Sequence, residues 1–294
     1  MKTWIRRSLL GLATLALLGG GAVLVGEQLA LQRSQRHIDV NPQPVALRSD
    51  PAAVERGRYL YTSRGCGDCH GADGAGRSFV QADGLHLAGA NITPGEGSVV
   101  TAYRPLDWVR TLRHGVKPDG TPLRVMPSED YNRLTDDDLA SIVAYVRQLP
   151  PARGGAAVVQ LPLPARVMYG FGLIPDAADK IDHRLPPSTP VAEGVTVEHG
   201  RYVAQMCKGC HGTQLAGGRI PGAPPDWPAA SSLLPGADSA LERYPDAASM
   251  VSMFRTGQRP DGTPVRVMPF QALGQLSDTD ARALHLYLKS LSAG

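Results

Sequence analysis

The chain is short of several things. Its 294 residues hold only four phenylalanines, three tryptophans and four cysteines. A core so poor in large aromatics must be filled some other way, and a bound cofactor is one answer. Net charge is +3, with 30 basic and 27 acidic residues mixed along the sequence. No long basic stripe exists, so composition gives no reason to invoke nucleic acid as a partner. Convincing period-two alternation is also missing, which speaks against a sheet-built fold. Glycine and proline are plentiful instead, at 33 and 25 residues, about a fifth of the chain.

One long uncharged run is present. Lys2, Arg6 and Arg7 precede LLGLATLALLGGGAVLV (9–25), and the next charge is Glu27. A signal peptide would end its apolar core near Leu18, with Gly20 and Ala22 framing the cleavage site. An uncleaved anchor would use Ser8 to Gly26, about 19 residues, which just spans a bilayer. The anchor is the better reading, because apolar character resumes at Val23, Leu24 and Val25. In both readings the positive flank stays cytoplasmic and the rest is exported. No cysteine lies near the run to accept a lipid.

Self-similarity then divides the chain. GVKPDGTPLRVMP (115–127) and GQRPDGTPVRVMP (257–269) agree at ten of thirteen positions. ERGRYL (55–60) pairs with EHGRYV (198–203), and LTDDDLASIVAYVRQL (134–149) with LSDTDARALHLYLKSL (276–291). So long a period means duplicated domains rather than a solenoid. The expected organisation is a signal-anchor or signal peptide over 1–26, a tether over 27–50, a first domain over 51–150, a Pro/Gly-rich connector over 151–195 and a second domain over 196–294. Leu139, Ile142, Val143, Val146 and Leu149 follow helical spacing, with Thr135 as N-cap and Asp138 completing a capping box. Ser277 and Asp280 repeat that arrangement. Short helices are expected over 54–63 and 198–206, running into the cysteines, and near 176–182 in the connector.

All four cysteines fall in two pentapeptides, CGDCH (66–70) and CKGCH (207–211). On a helical turn, residues three apart share a face. Cys66 with Cys69, and Cys207 with Cys210, can therefore form thioethers to the vinyl groups of one haem each. His70 and His211 then reach the iron, which is the c-type attachment signature. A thioredoxin-like pair would want a βαβ context. A Cys₄ zinc site would not explain a histidine after each pair. Two disulfides are the remaining rival in an exported protein. Two covalent haem c groups account for every cysteine and both histidines.

Each iron needs a further ligand. Met126 follows His70 by 56 positions and Met268 follows His211 by 57, both within RVMP. Duplication favours them as axial ligands over Met168, Met206, Met250 and Met253, which have no counterpart and read as core filler. His114 is the rival for the first iron, but its counterpart is Thr256, and His86 is also unpaired. Arg124 and Arg266 precede the two methionines and could meet haem propionates.

The chain resembles the membrane-associated cytochrome c subunits of bacterial periplasmic alcohol, aldehyde and gluconate dehydrogenases. CGDCHGADGAG (66–76), LAGANITP (87–94), DWVRTLRHGVKPDGTPL (107–123), MP (126–127) and LTDDDLASIVAYVRQLPP (134–151) carry the likeness in the first half, and GRYVAQMCKGCHGTQLAGG (200–218) with MP and LSDTD in the second. The resemblance covers about residues 52–292. It implies an all-α fold of two tandem class I cytochrome c domains, proximal ligands His70 and His211, and distal ligands Met126 and Met268. It also implies a periplasmic dehydrogenase as electron donor, a terminal oxidase or soluble cytochrome as acceptor, and a place on the periplasmic side of the inner membrane. Alcohol dehydrogenase cytochrome subunits usually carry three haems, and two motifs stand here.

Methionine–histidine ligation leaves iron no open site, so an electron carrier rather than an enzyme is expected. A dihaem peroxidase would need one displaceable ligand, whereas both halves have the RVMP loop. A haem-bearing oxidase subunit is the other alternative, although its two motifs usually lie closer together.

Overall fold

In a computed structural model, residues 2–220, 223–224, 226–237 and 239–292 are described. The first element is one continuous helix, α1 (Lys2–Gln35). It outruns the apolar segment because EQLALQRSQ (27–35) contains neither glycine nor proline and is rich in strong helix formers. Among the described residues, it alone is long and apolar enough to cross a membrane.

The first domain contains α2 (Pro51–Ser63), α3 (Cys66–His70), α4 (Pro105–His114), α5 (Ser128–Tyr131) and α6 (Asp136–Val146). Two strands, β1 (Ser78–Ala82) and β2 (Leu85–Ala88), form an antiparallel hairpin within it. The connector supplies β3 (Val158–Gln160) and α7 (Leu163–Gly170). The second domain contains α8 (Val197–Val203), α9 (Lys208–His211), α10 (Ala247–Thr256), α11 (Phe270–Leu273) and α12 (Asp278–Ser290).

Helices α6 and α12 start where their caps predict, while α2 begins three residues before the expected Val54. Thr135 accepts the Asp138 N–H (3.1 Å) and Ser277 the Asp280 N–H (3.1 Å), so both act as N-caps. In the first domain α2 crosses α6, and in the second α8 crosses α12. Glycine makes both crossings possible. A Cβ on Gly57 would lie 1.9 Å from the Ser141 carbonyl oxygen, and one on Gly200 1.9 Å from that of Ala283. Leu60, Leu139 and Val143 fill the first core, and Val203, Leu284 and Leu288 the second.

The fold is mostly helical, but the all-α expectation needs correcting. The strands form one antiparallel sheet in the order β1-β2-β3. Its hairpin turns at Asp83 (φ 48°) and Gly84 (φ 78°), an Asp-Gly pair of the kind that favours a tight turn. The third strand comes from the connector, which is therefore bound to the first domain rather than draped beside it. The connector's single expected helix is only a 3₁₀ turn at Ala178–Lys180, while α7 was hidden by its prolines. One of these, Pro164, sits in the first turn, where a missing N–H is harmless.

The domains face one another through a reciprocal exchange. Tyr59 of α2 donates to Asp280 of α12 (2.6 Å), and Tyr202 of α8 donates to Asp138 of α6 (2.6 Å). Arg64 adds a buried ion pair with Asp280 (2.8 Å).

Candidate functional site

Each cysteine motif occupies one helical turn and stops at a glycine with positive φ. In the first half the turn is α3, closed by Gly71 (φ 79°). In the second, Cys207 ends a 3₁₀ turn (Ala204–Cys207), α9 follows, and Gly212 (φ 80°) closes it. The tight approach that follows needs a glycine as well: a Cβ on Gly89 would lie 2.1 Å from the Cys69 carbonyl oxygen.

The histidines are oriented alike. His70 Nδ1 donates to the Ala90 carbonyl (2.8 Å) and His211 Nδ1 to the Ser231 carbonyl (2.8 Å). A carbonyl only accepts, so Nδ1 carries the proton and the Nε2 lone pair is left for a metal. Burial holds both imidazoles below their usual range, against the effect of those carbonyl bonds, which favours the neutral form that ligates.

The four thiols are unpaired. Burial pushes Cys66 and Cys207 up to about 12 and Cys69 up to about 11. Such thiols are not the low-pKa nucleophiles of a redox pair. Among the described residues, no group of three or more His, Cys, Asp or Glu side chains is arranged to hold a metal ion. The Cys₄ arrangement joining the two motifs is therefore not built. Nor are the cysteines disulfide-bonded.

The methionine loops are near-copies. Asp119 accepts the Thr121 N–H (2.9 Å) and hydroxyl (2.7 Å), while Asp261 accepts the Thr263 N–H (2.9 Å) and hydroxyl (2.6 Å). Leu123 N–H donates to the Gly115 carbonyl (2.7 Å), and Val265 N–H to that of Gly257 (2.9 Å). The PDGT text thus builds one turn twice, with Gly120 and Gly262 at φ 83° and 80°. Met126 rests half-buried on the cluster that also holds Cys66. Met268 rests in the same way on the cluster that holds Cys207. Each domain so brings its cysteine motif and its methionine to one core.

The rival ligands lie elsewhere. His114 is buried against His183 of the connector, Nδ1 to Nδ1 at 3.1 Å. Burial, then the neighbouring His183, lowers it to about 4. His86 Nε2 is 3.0 Å from the Ser78 hydroxyl on the hairpin. Arg124 and Arg266 are both exposed. Met250 and Met253 are core residues as expected, but Met168 is 43% exposed on α7.

Several residues around the motifs were missed. Asn91 is fully buried and donates to the Glu96 (3.0 Å) and Ala152 (2.9 Å) carbonyls, which fixes the segment whose Ala90 holds His70. Tyr61 donates to the Gly71 carbonyl (2.5 Å) and Tyr131 to that of Arg64 (2.9 Å), bracing the ends of the first motif. Asp130, just after the first Met-Pro pair, accepts the Gly209 N–H inside the second motif (2.9 Å). Burial, then repulsion from Glu129, raises its carboxyl to about 8. Across the same interface, α3 touches α11, which follows the second Met-Pro pair. Each cysteine motif therefore abuts the methionine segment of the other domain.

Comparison with known proteins agrees with this duplicated site. A family model described as "Cytochrome C oxidase, cbb3-type, subunit III" matches residues 52–146, and one described as "Cytochrome c" matches 197–292. Both halves are cytochrome c domains. Two such domains, each with its Cys-x-x-Cys-His motif, imply two covalently bound haem c groups, and the free thiols and oriented imidazoles fit them.

Several relatives align along the chain. The fructose dehydrogenase cytochrome subunit of Gluconobacter japonicus is 27% identical over 280 residues, covering 85% of this chain and 55% of that protein. The cytochrome c subunit of the quinone alcohol dehydrogenase of Gluconobacter oxydans is 28% identical over 276 residues, covering 83% and 56%. The gluconate 2-dehydrogenase cytochrome c subunit of Pantoea cypripedii is 26% identical over 176 residues, covering 56% and 39%. The chain thus spans little more than half the length of the first two relatives.

Proposed function

We propose that the chain is a dihaem electron carrier that takes electrons from a periplasmic dehydrogenase and hands them towards a terminal oxidase or a soluble cytochrome. Cys66 and Cys69 attach the first haem, and Cys207 and Cys210 the second. His70 and His211 ligate the irons through Nε2, and Met126 and Met268 complete the coordination, as in class I cytochrome c domains. When bound, each haem supplies a one-electron ferric–ferrous couple whose potential the methionine raises. The polypeptide's part is to hold each imidazole in one tautomer and to fix the two sites against each other.

The carrying observation is the repetition of a carbonyl-oriented histidine and a methionine loop on one core, twice. A peroxidase would need one half to depart from this pattern. The relatives with the longest reported alignments are named as dehydrogenase subunits, which favours a dehydrogenase as donor. In keeping with that, α1 serves as an uncleaved anchor on the inner membrane, with both domains on the periplasmic side.

The decisive experiment is a mass measurement with a visible spectrum on the purified chain. Two added porphyrins and two Met–His ferric signatures at the red end of the visible are expected. Peroxide should leave the ferric spectrum unchanged. Rapid bleaching by peroxide would favour the peroxidase instead. Copurification with a membrane sugar or alcohol dehydrogenase, and reduction when its substrate is added, would identify the donor.

A further inference from the structure

The connector does more than join the domains. Helix α7 packs directly on α1 at the level where the apolar run ends. Two glycines allow the crossing: a Cβ on Gly170 would lie 2.0 Å from the Gly26 carbonyl oxygen, and one on Gly26 2.7 Å from Val167 Cγ1. Small residues at such a contact let two helices approach closely. Polar locks surround it. Arg166 pairs with Glu27 (2.6 Å), Arg33 with Asp179 (2.5 Å), and Arg36 with both Asp176 (2.6 Å) and Asp179 (2.9 Å). Asp176 is fully buried and also accepts from Tyr169 (3.0 Å).

The outward side of this neck is apolar. Leu163, Met168, Phe171 and Leu173 are 42%, 43%, 47% and 67% exposed. On α1, Leu24 and Val25 at the end of the run are 73% and 53% exposed. The apolar surface of α1 meets that of the connector at Phe171, which lies against Gly26. Leaving so many large apolar side chains of one neck in water is unfavourable. A surface continuous with a bilayer span at the water boundary meets lipid.

We propose that α7 and the turn after it, through Leu173, form a membrane-interface foot that lies in the lipid surface beside α1. It holds the haem domains at a fixed height and tilt. The ion-paired neck makes foot and anchor one unit, and β3 ties that unit to the first domain. This rests on the reading of α1 as a retained anchor.

The test uses full-length holoprotein in vesicles of phosphatidylethanolamine and phosphatidylglycerol. Benzoylphenylalanine replaces Leu17, Leu173 or Leu286 in turn, and lipid adducts are counted by mass spectrometry after irradiation. Leu17 lies within the span and Leu286 on an exposed face of α12. Adducts are expected at 17 and 173, at least several-fold above those at 286. Adducts at 17 with none above the 286 background at 173 overturn the foot and leave the anchor standing. Adducts at neither position remove both. In membranes that also contain the donor enzyme, protein crosslinks replacing lipid adducts at 173 would assign the face to a protein partner and overturn the proposal. As a second variant, Gly170→Leu, which opens the crossing, should lower the adducts at 173 several-fold while those at 17 and both haem spectra persist.

Discussion

The Tyr59 hydroxyl sits inside the N-cap of a helix that belongs to the other domain. It donates to Asp280 (2.6 Å) and accepts the Ser277 N–H (3.1 Å). Tyr202 does the same in reverse, donating to Asp138 (2.6 Å) and accepting the Thr135 N–H (3.2 Å). The carboxylate in each cap does not reach back to its own N-cap N–H. A tyrosine from the neighbour takes the place between them. Tyr59→Phe and Tyr202→Phe should each lower stability by about 1–3 kcal/mol, since each leaves a cap carboxylate and an N–H short of a partner. Denaturant unfolding of the two variants checks this. Unchanged midpoints in both would mean the exchange contributes nothing.

Acid should loosen the same interface. Although burial opposes it, the Arg64 guanidinium and hydrogen bonds from Arg64, Tyr59 and His199 hold the Asp280 carboxyl down to about 2. A carboxylate with a depressed folded pKa stabilises the protein above its unfolded pKa. That stabilisation is lost as the pH falls from about 4 through about 2, and it is on the order of 2 kcal/mol. Asp280→Asn should flatten this part of the pH–stability curve. Thermal melts of both forms across pH 2–6 would decide it.

The glycines of the two GRY segments are predicted to be intolerant. Gly57→Ala and Gly200→Ala each drive a methyl into a carbonyl of the crossing helix. A cost of about 1–3 kcal/mol is expected, more if the helices cannot shift apart. Each change should broaden or shift the spectrum of its own domain's haem first. Equal disturbance of both sites would show that the domains fold as one unit.

Legibility followed periodicity and repetition. The two caps, the paired helices and the cysteine motifs stood out because each appears twice with the same spacing. The sheet was missed because its strands are three to five residues long and its Asp-Gly turn gives only a two-residue signal. Helix α7 was missed because Pro162 and Pro164 read as breakers, although Pro164 in a first turn is compatible with helix. The tyrosine exchange could not be read at all. ERGRYL and EHGRYV announce matching helices, yet nothing local says that their tyrosines cap the opposite domain.

Changing a single distal ligand should separate the two sites. Met126→Ala should remove about half of the Met–His ferric band and lower the potential of the first haem, leaving the second as it was. Met268→Ala should give the complementary result. A redox titration followed optically tests both, and an unaltered band in either variant would remove that methionine from the coordination sphere.

Because β3 pairs with a first-domain strand and the chain continues from there into the second domain, the two tyrosine clasps close within one molecule. Their strength is therefore set by the length of the connector and not by how much protein is present. Contacts that would be too weak to hold two separate subunits together suffice at an effective concentration on the order of millimolar. The paired domains should stay docked at any dilution, so a sparsely expressed copy keeps the same inter-site geometry as an abundant one.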